Sequence, residues 1–130
     1  MSQLNWRART RANWRPASYT TNETDELMSV MAGEAAWLCT VRTRTAFNGS
    51  GTDAIVIIGD DGDTDRMLEA GNCDETTAGL YLGLGVTKLN GPHLYTLNNT
   101  IDVVLDVNTA GTRNAGAIDV HVWIARLDPD

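Results

Sequence analysis

The 130-residue chain is poor in the residues that build reactive centres: it has two histidines, two cysteines, three prolines and one phenylalanine. Cys39 and Cys73 are far apart in the sequence, in neither a C-x-x-C motif nor a disulfide framework. Cys39 lies in the apolar run AAWLCTV and reads as a buried thiol. Cys73 is flanked by acids, which raise a thiol pKa and make it a poor nucleophile. His93 and His121 have no third ligand at short spacing, so zinc is not expected. No apolar run reaches the roughly eighteen residues of a transmembrane helix. The first residues, MSQLNWRART, contain no apolar signal core, so secretion is not expected. The net charge of −7 argues against general binding to nucleic acid or anionic membrane.

Catalytic motifs are missing as well. There is no G-x-S-x-G nucleophile elbow, and the glycines of AFNGSG and LYLGLG match neither a P-loop nor a dinucleotide fingerprint. The chain is therefore expected to be no enzyme and to carry no cofactor. One cluster could hold a cation: Asp61, Asp63 and Asp65 stand at the spacing that opens an EF-hand loop. The pattern then fails, with Arg66 where glycine belongs and Asn72 where the closing glutamate belongs. The preferred reading of this loop, which also holds Asp60, is a solvated turn with Asx-type hydrogen bonds.

Charge is split sharply along the chain. Residues 1–22 hold four arginines and no acid, a charge of +4. The other six basic residues face all seventeen acids, leaving −11 on residues 23–130. Within the first segment Asn5-Trp6-Arg7 is echoed by Asn13-Trp14-Arg15, without helical periodicity, and Pro16 pushes Arg15 towards extended backbone. Two tryptophans among arginines suggest an extended arm that docks on a partner through Trp6, Arg7, Trp14 and Arg15. The alternative is an edge strand on the protein's own sheet, with both tryptophans in its own core. On the first reading, deleting residues 1–22 leaves the body folded.

Residues 23–130 read as a second unit made of strands. Residues 24–36 are either a short helical turn or a loop feeding a strand. Alternation over residues 37–47 places Trp37, Cys39, Val41, Thr43, Thr45 and Phe47 on one face. The run 53–58 is apolar on both faces and reads as a central strand, paired with the preceding one as a hairpin. Residues 80–86 suggest a bent strand. Residues 100–107 turn Ile101, Val103, Leu105 and Val107 inward, and residues 117–127 turn Ile118, Val120, Val122 and Ile124 inward. The last strand sets Asp119, His121 and Trp123 on its outer face, and Trp123 there is a candidate interface residue. The expected fold is all-β, an antiparallel, jelly-roll-like β-sandwich with an extended N-terminal arm.

Residues 45–68 (TAFNGSGTDAIVIIGDDGDTDRML) and 100–128 (TIDVVLDVNTAGTRNAGAIDVHVWIARLD) resemble a group of small structural proteins of tailed-bacteriophage virions. The resemblance implies a non-enzymatic β-sandwich that decorates or cements the head, although some such proteins belong to tail or fibre parts. It implies the major capsid protein and further copies of the chain, as a dimer or trimer, for partners. It also implies residence on the capsid surface after synthesis in the host cytoplasm. The competing reading is a carbohydrate- or ligand-binding sandwich module with Trp123 and Tyr81 as its platform.

Overall fold

The computed structural model describes residues 5–47, 54–75, 77–83, 92–107 and 114–126. Among these, eight strands run in chain order: β1 (Arg7–Trp14), β2 (Glu23–Val30), β3 (Glu34–Thr45), β4 (Ala54–Gly59), β5 (Gly79–Leu82), β6 (His93–Leu94), β7 (Asn99–Val107) and β8 (Ala117–Arg126). All pairings are antiparallel. One sheet has the order β1-β8-β3-β5, with β6 also pairing β3; the other has the order β2-β7-β4. The nesting of β1 with β8 and β2 with β7 is the jelly-roll arrangement, from which β5 departs by pairing β3 rather than β4.

The core lies between the sheets and follows the alternation of the strands. Ile118, Val120, Val122 and Ile124 of β8 face Ile101, Val103 and Leu105 of β7, all buried. Val107 carries no described side chain. Residues 23–30 form a strand rather than a helical turn, with Leu27 and Val30 turned into the core. The expected hairpin of the 37–47 and 53–58 runs does not form, because β3 and β4 lie in different sheets. Nor is β4 central: it ends the three-stranded sheet, and its free edge is covered by the segment that follows it. Ile58 exchanges backbone hydrogen bonds with Leu68, and the Glu75 carboxylate accepts from the Val56 amide at 2.8 Å. That cover satisfies backbone groups that an open edge strand leaves to solvent. Gly59 makes it possible, since a Cβ there would run into the backbone of Asp63 and Thr64.

Residues 7–14 are no free arm. β1 pairs with β8 from Arg7↔Ile124 to Trp14↔Ile118, and Trp14 is 1% exposed, inside the core of its own chain. The Trp14 indole Nε1 donates to Asp25 Oδ2 of β2 at 2.8 Å. Arg9 donates to the Ser29 carbonyl at 2.7 Å and to both oxygens of Glu34, at 3.1 and 2.8 Å. The Ala17 amide donates to Glu23 at 2.9 Å. The acids that attract the basic segment therefore belong to the same molecule. Residues 1–4 lie outside the described residues.

Trp14→Ala is expected to destabilise the domain by about 3–5 kcal/mol, the scale for removing a buried aromatic. Deleting residues 1–22 should prevent cooperative folding. Urea unfolding followed by circular dichroism measures the first. Retention of a sharp thermal transition by the truncated chain would contradict the second.

Candidate interaction surface

Paired residues of an antiparallel sheet share a face, so the buried residues of β8 fix what points outward. Opposite to Val120, Val122 and Ile124 stand Asp119, His121, Trp123 and Ala125. Trp37 pairs with Trp123 and shares this outer face. The sequence alternation places Trp37 with Cys39 instead. The register shift between Trp37 and Cys39, with Leu38 at φ 55°, inserts a bulge that reverses the side on which Trp37 emerges. Trp6 packs against Trp37 with ring centroids 5.9 Å apart. Ala8 is the β1 residue directly opposite Trp123.

On the far side of β3, Leu94 pairs with Ala35, Leu82 with Thr40 and Leu80 with Arg42. The exposed members are Leu80 (70%), Leu82 (48%), Leu94 (45%) and Trp123 (39%). Apart from Arg42, the charged groups of the face pair with one another. Thr10 Oγ1 and His121 Nδ1 lie 2.8 Å apart, and Arg44 donates to Asp119 Oδ2 at 2.9 Å. The Asn13 amide donates to Asp119 Oδ1 at 2.7 Å. Arg44 first, then the Asn13 amide and the charge of the arginines, outweigh burial and hold the Asp119 carboxyl below its usual range.

Of the residues singled out in the sequence, the structure brings Trp6 and Trp123 to this face. Arg7 is exposed but belongs to the other row of β1, Arg15 is exposed beyond the end of β1, and Trp14 is enclosed, so it cannot contact a partner. Trp37, Leu80, Leu82 and Leu94 join the face without having been foreseen. The alternation of Leu80-Tyr81-Leu82 was visible; which side faces out depends on pairing with β3. Tyr81 pairs with buried Val41 and packs on the core, its hydroxyl donating to the Thr77 carbonyl at 2.8 Å. It therefore lies on the opposite face from Trp123, and the two cannot form one carbohydrate platform.

A cleft of about 470 Å³ opens at one end of the larger sheet, where β1, β8 and β3 meet, with Arg7, Arg9, Arg126 and Glu34 in its lining. Its best-defined contact is the Arg9–Glu34 pair, and the hydrogen bonds from Arg9, ahead of burial, lower the Glu34 pKa.

The acidic loop is organised by Asp60. Its Oδ1 accepts from the Gly62 and Asp63 amides, both at 3.0 Å, an Asx-type turn. Its Oδ2 accepts from Arg66 Nε and the Tyr95 hydroxyl, both at 2.7 Å. Burial would raise the Asp60 pKa; the bonds from Arg66, Tyr95 and the Asp63 backbone outweigh it and lower it. Asp63 Oδ1 accepts from the Asp65 amide at 3.4 Å, and Asp61 is exposed. Among the described residues no group of three metal-ligating side chains converges. His93 stacks edge-on against Tyr95, with its pKa lowered by burial and by Arg66. Both cysteines are free and buried, with burial pushing Cys39 up to about 12 and Cys73 up to about 11.

No protein-family model and no curated protein sequence matches the chain. Its fold is similar to that of a chain in the structure described as the acidic stable capsid of Helicobacter pylori bacteriophage KHP30. The similarity has a TM-score of 0.63 at 11% identity and covers 98% of this chain and 95% of that one.

Acid sensitivity follows from the carboxylates. Asp60, Glu34 and Asp119 all have lowered folded-state pKa values, so they add stability above the ordinary carboxylate range, and that stability is lost as pH falls through it. The melting temperature should be flat above about pH 5 and fall steeply below about pH 4. Asp60→Asn, which leaves Arg66 without its buried counter-charge, should cost about 3 kcal/mol. Asp102 is opposite in sign: burial raises its pKa, and Asp61 and Glu26, its cross-strand partner, raise it further. Asp102→Asn should therefore stabilise the protein at pH 7 by about 0.5 kcal/mol, and the gain should vanish at low pH. Thermal melting from pH 3 to 8 tests all three statements.

Proposed function

We propose that this protein is a structural component of a tailed-bacteriophage virion. The reading is a head decoration or cement protein, held on the major capsid protein and reinforced by contacts between its own copies. The observation that carries the reading is the fold likeness, spanning nearly the whole of both chains, to a chain in a phage capsid structure. An exposed apolar sheet face supports it, since a two-layer sandwich ordinarily turns polar side chains outward. In this reading the exposed arginines of the β1 edge, Arg7 and Arg11, with Arg15 beyond it, contact the shell. Many modest contacts of this kind, repeated over symmetry-related sites, combine into firm attachment.

The test is quantitative mass spectrometry of purified heads and of separated tails. The protein is expected in heads, in a copy number that is a fixed multiple of the capsomers. Particles lacking it should lose DNA at lower temperature, and adding back purified protein should restore them. Arg7→Glu combined with Arg11→Glu should weaken the add-back at least tenfold in low salt, with the difference shrinking in high salt. Recovery in a few copies with the tail fraction alone would move the protein to the tail and refute the head assignment.

A further inference from the structure

We propose that the outer face of the five-stranded sheet is a self-interface, across which two copies of this chain pack by twofold symmetry with Trp123 near its centre. The proposal rests on the reading of the protein as an assembly component with contacts between its own copies, and names the surface and the symmetry.

Size is the first argument. Four strand positions spaced about 4.8 Å apart (β1, β8, β3 and, end to end beyond it, β5 and β6), and a β8 of ten residues rising about 3.3 Å each, give a face of about 19 by 33 Å, roughly 600 Å². Two such faces together reach about 1,200 Å², the lower end of the range of standard specific interfaces.

Chemistry is the second. Trp123 and Trp37 in the middle of the face, with Leu82 and Leu94 along its β5–β6 edge, give it the aromatic and aliphatic character in which interface cores are enriched. Arg44 and Asp119 neutralise each other on this face. Arg42 is then the main remaining charge there.

Long-range charge is the third argument, and it selects the occupant. The whole chain carries −7, and the strands of the other sheet hold five acids (Glu23, Asp25, Glu26, Asp102 and Asp106) and no base. Two copies approaching by that sheet repel, as they do by the acidic loop. The arginines of β1 and Arg126 belong to the inward rows of the larger sheet, opposite Ile124, Val122, Val120 and Glu34, so its apolar outer face lets copies meet without opposing acids and with Arg42 as its main uncompensated charge. A strongly charged partner gains little from so neutral a face, whereas a second copy presents the same apolar surface and satisfies it mutually. Sheet-on-sheet packing at about 10 Å accommodates the side chains of both faces.

Sedimentation equilibrium of the full chain between 1 and 100 µM tests the proposal, with Trp123→Ser and Leu82→Lys made separately. The wild type should be a dimer. Each variant should dissociate roughly thirtyfold more readily, with its thermal transition retained. Trp123 and Leu82 are both partly exposed, so one variant reports even if the other misfolds. A monomeric wild type at 100 µM, a trimer, or folded variants that dimerise as tightly as the wild type would overturn the twofold interface. Sedimentation with phage heads separates this from the capsid reading. A wild type that is monomeric yet binds heads refutes the self-interface alone. A wild-type dimer dispersed by both variants upholds the interface even if it is absent from heads.

Discussion

The lateral closure of the sandwich by β1 is the constraint on which the other features depend. β1 supplies the outermost ladder of the larger sheet and reaches the smaller one through two side chains, Arg9 to the Ser29 carbonyl and Trp14 to Asp25. Without it, β8 becomes an edge strand, and its inward row from Ile118 to Ile124 loses its lateral cover. Asn13, at φ 52° beside the register shift between Arg11 and Trp14, bends the strand end so that its amide meets Asp119 while Trp14 turns inward. One local distortion thus serves both layers: it buries the indole inside and anchors Asp119 on the outer face.

This closure also uses part of the charge split along the chain. The basic segment meets Glu34, Asp25, Glu23 and Asp119 of its own body, by the Arg9–Glu34 ion pair and by amide and indole hydrogen bonds, while Arg7, Arg11 and Arg15 stay exposed. The fold converts polarity along the sequence into polarity between layers. The strands of the larger sheet carry six arginines against Glu34 and Asp119, a balance of +4, whereas those of the smaller sheet carry −5. Such separation carries a local penalty where Glu26 and Asp102 stand directly across β2 and β7.

How much of this was legible depended on whether a feature was local. The inward rows of β7 and β8 could be read from strict alternation, because burial on one side imposes a period of two residues. The Asx character of the acidic loop was legible from its aspartates and Gly62, since those bonds span two or three residues. The partners of each strand were not. β3 and β4 are neighbours in sequence and look like a hairpin, but the chain crosses between sheets there. Alternation places Trp37 on the wrong side because the Leu38 bulge has no sequence signature distinct from the residues around it. The basic segment could be recognised as a docking element, whereas its docking site, made of acids from β2, β3 and β8, exists only once the sheets have formed.

The two faces of the sandwich make opposite demands on their surroundings. The smaller sheet is rich in acids, and the acidic loop follows its edge strand β4, so this side is suited to water and counter-ions. The larger sheet turns out tryptophan and leucine from β8, β3, β5 and β6, with Thr10 paired to His121 and Arg44 to Asp119. Scattered surface leucines need no explanation, but these lie on one sheet face around Trp123. Burial of the whole face recovers the hydrophobic free energy left unused in the isolated chain, while no unpaired carboxylate there has to be stripped of water. Asp119 is what keeps that possible: bonded to Arg44 and to the Asn13 amide, it enters an interface already compensated, and the same β1 bend that closes the core provides one of those bonds.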